Sequence, residues 1–148
     1  MKKSAALTAS KIFLDEVWTG EPPNIPRLIE LLDRLLVSYH DTNDIKAPYH
    51  EIEAPASDWK TIYDQARKRF PNLGLYPTTD PSEEGPGSLM IGDAIDDLAD
   101  ITSDLRQTVW YADNHSTDYA ESCFRELYFH WGQHARELLL LLHAKHGS

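Results

Sequence analysis

The sequence predicts an all-α protein, an up-and-down bundle of four or five helices with one long Pro/Gly-rich loop at about 71–92. Three observations carry this expectation. Apolar residues recur at the 3.6-residue helical period through most of the chain. Capping residues such as Asn24 and Ser57 stand just before periodic stretches. Extended character is confined to a few residues around Leu73 to Tyr76. The chain has 148 residues, 41% hydrophobic and 26% charged, enough for one core that hides roughly 70% of the unfolded surface. Residues 1–148 therefore read as a single helical domain.

The elements follow in order. Ile12, Phe13, Val17 and Trp18 share helical spacing before Gly20 and Pro22-Pro23, which predicts a first helix over 4–19. Asn24 caps the next, whose opening turn tolerates Pro26 because its first backbone N–H groups have no carbonyl partner. Leu28, Leu31, Leu32, Leu35, Leu36 and Tyr39 then give residues 25–41 a broad apolar stripe. Residues 42–56, with Asp44, Pro48 and Pro55, read as a connection. Ser57 is the expected cap of a third helix in which Trp59, Ile62, Tyr63, Ala66 and Phe70 share a face, ended by Pro71. The segment from Pro71 to Gly92 reads as a loop, either a binding or lid segment or one poor in order. Two long antiparallel helices are expected over 93–113 and 117–145, linked at Asn114-His115-Ser116.

Net charge narrows the function classes. With 14 Lys+Arg against 24 Asp+Glu the formal charge is −10, which repels phosphate backbones within a Debye length of about 8 Å and argues against nucleic-acid binding. No stretch approaches the roughly 18 apolar residues of a membrane span. Lys11, Asp15 and Glu16 interrupt the N-terminal stretch before a secretory signal can develop. Cys123 is the single cysteine, so no intrachain disulfide can form and a reducing, cytoplasmic setting is the simplest expectation.

One constellation carries chemistry. At about 100° per residue, Asp93, Asp97, Asp100 and Asp104 fall in one stripe, with Asp96 beside it. The apolar residues of that helix point nearly the opposite way, so the plain reading is a solvated acidic face. Like charges one turn apart repel, however, so the stripe asks for compensation. On the last helix Glu126, His130, His134 and Glu137 step along one side, at the edge of the apolar face. If the two helices lie antiparallel, these nine residues can form one polar network, with each imidazole donating to a carboxylate and fixing how the helices dock. Alternatively Asp97, Asp100, His130 and His134 can bind a divalent metal such as Zn, Mn or Fe, with Glu126 or Glu137 as general base.

Known motifs do not settle the choice. Trp131 stands where the helical zinc-protease motif places Glu after the first histidine, and the Glu-x-x-His pairs of di-iron bundles are missing. There is no phosphate-cradling glycine loop, nucleophile elbow or EF-hand. Gly132, costly inside a helix, reads as a point of close packing. Cys123 reads as an inert packing thiol, His143 and His146 as partners of the helix dipole, and the four tryptophans as mostly core. Trp110 turns away from its helix's stripe and would anchor a partner if exposed.

The segments Gly92-Asp93-Ala94-Ile95-Asp96-Asp97-Leu98-Ala99-Asp100-Ile101 and Phe129-His130-Trp131-Gly132-Gln133-His134-Ala135 resemble a bacterial family of uncharacterised domains. The likeness runs from about Phe13 to His143, with Thr102 where the family has an aromatic residue. It implies a small helical bacterial protein whose acidic and histidine-bearing helices form one unit, and it implies no activity. The leading expectation is accordingly a non-enzymatic interaction or regulatory module with a basic protein partner and room for a homodimer. The alternative is a metal-dependent hydrolase with its site between the last two helices.

Overall fold

The computed structural model describes residues 3–44 and 52–146. Part of the expected connection over 42–56, Pro48 included, lies outside the described residues. Among the described residues there are six helices, α1 (Ala5–Trp18), α2 (Ile25–Tyr39), α3 (Trp59–Arg69), α4 (Ala94–Asn114), α5 (Thr117–Glu126) and α6 (Tyr128–His146), and one antiparallel pair of strands, β1 (Leu75–Thr78) and β2 (Met90–Asp93). The protein is mostly helical, as its periodicity dictates. No helix among the described residues is long and apolar enough to cross a membrane.

Side-chain caps start the helices. Ser4, Asn24 and Ser116 accept from the backbone N–H three residues on, opening α1, α2 and α5, and Pro26 sits in the first turn of α2. Asp58, not Ser57, caps α3: one carboxylate oxygen takes the Thr61 amide at 3.2 Å and the other its hydroxyl at 2.7 Å. A carboxylate accepts both bonds at once, which a single hydroxyl does less well. Ser57 instead meets Ser103 of α4.

Two expectations need correction. The segment 71–92 is not wholly a loop. Tyr76 pairs with Gly92 and Thr78 with Met90, and β2 runs directly into α4. Each strand is four residues long and Tyr76 alone among the eight is buried, too little alternation to reveal a strand. The long C-terminal helix is also broken, at Leu127. The Trp131 indole N–H donates to the Phe124 carbonyl at 3.0 Å, the acceptor that a continuous helix would reserve for the amide of Tyr128. The break gives six helices rather than four or five.

α4 occupies the middle, packed against α1, α3, α5 and α6, so the bundle is not a simple ring of sequence neighbours. Leu98, Ile101 and Leu105 of α4 join Phe13, Leu32, Phe124, Trp131 and Leu138 in the core. With neighbours around it, α4 has little solvated face left: Asp97 is 2% exposed and Asp104 7%. Of the tryptophans only Trp131 is fully buried. Trp18 and Trp110 are half-buried and Trp59 is exposed. The Trp18 indole donates to buried Thr102 at 3.0 Å.

Two glycines make room for tyrosines. Gly132 lies under the ring of Tyr128 on its own helix, 3.0 Å from where a Cβ would stand, and that ring stacks on Tyr39 of α2 at 3.7 Å. The close approach is thus to a side chain one turn back, rather than between helix backbones. Gly92 faces Tyr76 across the strand pair, and a Cβ there would fall 2.4 Å from the tyrosine ring. We expect Gly92→Ala to lower stability by about 1–3 kcal/mol through overpacking, read as a fall in urea midpoint at unchanged slope.

Candidate metal centre

The acidic edge of α4 and the histidine edge of α6 face each other. The Nδ1 of His134 lies 2.7 Å from Asp97 Oδ1, and the Nδ1 of His130 lies 2.7 Å from Asp104 Oδ2. An ionised carboxylate only accepts, so each imidazole carries its proton on Nδ1 and donates it. Heptad spacing on α4, Asp97 to Asp104, brings two anchors to two histidines one turn apart on α6. The other ring nitrogens then converge on one group: Asp100 Oδ2 lies 3.0 Å from Nε2 of His134 and 4.0 Å from Nε2 of His130.

Further side chains hold these three in place. The Trp59 indole donates to Asp100 Oδ1 at 2.9 Å, leaving Oδ2 for the histidines. The Tyr76 hydroxyl donates to Asp97 Oδ2 at 2.5 Å. Asp93 caps α4 through Ile95 N–H and accepts from the Tyr63 hydroxyl at 2.6 Å, tying α3 to the start of α4. Each of Asp100, His130 and His134 therefore has a hydrogen-bond partner that fixes its orientation, as ligands of a metal characteristically do.

The electrostatics follow from burial among like charges. Burial raises the carboxyl groups of Asp97 and Asp104 above the usual range, against the lowering effect of their histidine partners. Asp96 is raised by burial and by the nearby charge of Asp100. Burial disfavours a charged His134, but its bond to Asp97 and the charges of Asp100, Asp97 and Asp96 outweigh that, so its imidazole is raised. Tyr76 is held in its phenol form by burial and by Asp97. Asp96, Asp97, Asp104 and His134 thus hold protons more firmly than their free counterparts.

With Nδ1 protonated, a neutral imidazole presents a lone pair on Nε2. That lone pair of His134 faces a carboxylate oxygen at 3.0 Å, an arrangement stable only with a proton or another cation between them. The ligand atoms of Asp100, His130 and His134 all lie within 4.8 Å of one another. Around a tetrahedral zinc with bonds near 2.0–2.1 Å the ligand–ligand edge is roughly 3.3 Å, between the two nitrogen–oxygen separations observed. Asp96, Asp97 and His134 form a second group within the same limit, but both Asp97 oxygens are already engaged. Beside His134 opens a cavity of about 640 Å³ whose lining includes Asp96 and Glu137.

The structure brings together eight of the nine network residues at the site or on its cavity wall: Asp93, Asp96, Asp97, Asp100, Asp104, His130, His134 and Glu137. The carboxylate of Asp93 serves the helix start and Tyr63. Glu126 is exposed and absent from the cavity lining, which removes it as a base there. The acidic stripe is not a solvated face: Asp97 and Asp104 are buried in a helix seam. Tyr76, Trp59 and Tyr63 were not foreseen as parts of the site. Cys123 is buried with its thiol pushed up to about 11 by burial, the state of an unreactive packing group. His143 and His146 are exposed in the last turn of α6.

No family model and no curated protein matches the chain. Among solved structures the chain is similar to the crystal structure of protein BF1032 from Bacteroides fragilis, with a TM-score of 0.71 and 12% identity over 94% of this chain and 88% of that one. At this identity the likeness is one of fold.

Proposed function

We propose that the protein is a metal-dependent hydrolase in which Asp100, His130 and His134 hold zinc or a similar first-row divalent ion. The observation that carries the reading is the convergence of two histidine Nε2 atoms on Asp100 Oδ2, with both Nδ1 atoms pinned by Asp97 and Asp104. Three protein ligands leave a coordination position for water, as catalytic rather than structural zinc sites do. The ion would supply an activated water at neutral pH, and Glu137, lining the adjacent cavity, is the side chain suited to take its proton. Asp97 and Asp104 become orienting groups. The reading includes a reducing, cytoplasmic setting, supported by the lone thiol of Cys123, and a bacterial origin, supported by the resemblance of the two site segments.

The test is zinc binding by the purified full chain. One equivalent is expected, with a rise in melting temperature that chelator reverses. A ligand at a hundredfold excess over its Kd adds about 2.7 kcal/mol, which in a domain of this size is several degrees. Asp100→Ala and His130→Ala should each abolish the shift. A melt that neither zinc nor chelator moves, with less than stoichiometric metal after dialysis, ends the reading.

A second reading, a docking module for a basic partner, draws on the −10 charge and on the hairpin, where Leu75, Leu89 and Ile91 are 73–75% exposed. Electrostatic capture of a partner would weaken steeply with salt. A pull-down empty at both low and high salt counts against it.

A further inference from the structure

We propose that the cavity beside His134 binds a small organic cation, a protonated amine on an apolar or aromatic body, and that this is the substrate class of the site; the second half rests on the hydrolase reading above. The two walls of the cavity differ in chemistry. One, from α4 and α6, presents Asp96 and Glu137 next to His134. The other, from α3 and β2, presents the Trp59 and Tyr63 rings, 5.2 Å apart and inclined at 32°, and the exposed side chains of Met90 and Ile91.

Asp96 is the informative group. It is half-buried on the cavity wall and, among the described residues, has no hydrogen-bond or ion-pair partner, whereas Asp93, Asp97, Asp100 and Asp104 are each engaged. The charge of Asp96 is favoured by its place in the first turn of α4 and by nearby His134, and its oxygens remain open to a donor in the cavity. An ammonium group is such a donor, and aromatic faces opposite it add cation–π attraction to apolar contact. Among the described residues Lys60 is the sole Lys or Arg on the lining, against five Asp and Glu. A phosphate or carboxylate substrate would therefore meet net repulsion. At about 640 Å³ the cavity matches the sites that hold small molecules, roughly 300–1,000 Å³.

The experiment titrates phenethylamine, 2-phenylethanol and phenyl phosphate into the full chain by calorimetry, with and without one equivalent of zinc. In the metal-free chain we expect the amine to bind at least tenfold more tightly than the alcohol, phenyl phosphate to give no heat, and Asp96→Asn to remove the amine's advantage while zinc stoichiometry, measured separately, is retained. Equal binding of amine and alcohol, or tighter binding of the phosphate, by the metal-free chain overturns the proposal whatever the zinc result. Amine selectivity in a protein that takes up no zinc keeps the cation site and overturns both the hydrolase reading and the assignment of the amine as its substrate.

Discussion

Replacing His134 with alanine is expected to abolish stoichiometric zinc binding and, in the metal-free protein, to cost about 3–5 kcal/mol of stability, the usual penalty for stranding one partner of a buried ion pair. The His134 side chain is 18% exposed and that of Asp97 3%. Without the imidazole, Asp97 keeps only the Tyr76 hydroxyl, and Asp100 keeps the Trp59 indole and His130 at 4.0 Å. Asp97 can relieve part of the cost by taking up a proton, since burial already raises its carboxyl, and this places the expectation toward the lower end. His130→Ala provides the contrast. Its side chain is 51% exposed although that of Asp104 is only 10% exposed, so water can reach the vacated carboxylate and about 1–3 kcal/mol is expected. Zinc binding should vanish in both variants, whereas urea midpoints should separate them. Equal midpoints for His134→Ala and the parent would mean that the seam between α4 and α6 contributes nothing to the fold, and the geometry that supports the metal reading would lose its physical basis.

Much of this site was legible because helical geometry is rigid. A rotation of about 100° per residue puts Asp97, Asp100 and Asp104 on one side of a helix and His130 and His134 on one side of another without further information. Which side meets water is not a local property. α4 is polar along one edge, and that edge would be solvated if α4 lay on the surface; it is buried because four helices surround it. Tyr76 falls in the short extended stretch that the sequence marks, but a strand of four residues with one side chain turned inward does not reveal that its hydroxyl reaches Asp97. The clue was Gly92, which is required opposite its ring. Trp59 shares an arc with Ile62 and so reads as core, yet it stands at the first turn of α3, where its indole reaches Asp100 at the rim. The break at Leu127 has no Pro or Gly to announce it. It arises from one indole N–H taking a backbone carbonyl, a bond that exists only once Trp131 is packed against Phe124.

Lower pH should stabilise the metal-free protein and shrink the increment that zinc adds. His134 is raised in the folded chain, so the stability it contributes is fully present below its unfolded value, about 6.5, and is lost as pH rises through the folded value. Asp96, Asp97 and Asp104 are also raised. Their folded forms bind protons that the unfolded chain has released, so they too favour folding as pH falls, in a window that begins just above about 3.9. Both contributions have one sign: the folded state holds more protons, and stability declines with rising pH. The lowered carboxylates Glu16, Glu30, Asp58 and Asp80, each engaged by hydrogen bonds, act the opposite way only as pH falls below their ordinary range, so between pH 6 and 8 His134 sets the slope. Zinc requires the neutral imidazole and displaces that proton. Apparent affinity should therefore fall by about tenfold for each pH unit below the raised value of His134, approaching a hundredfold across two units. Thermal melts at pH 6, 7 and 8 check both halves at once: the metal-free midpoint should drop as pH rises while the increment produced by zinc grows. An increment that stays constant over this range would show that no proton leaves when the ion binds, and that His134 is not among its ligands.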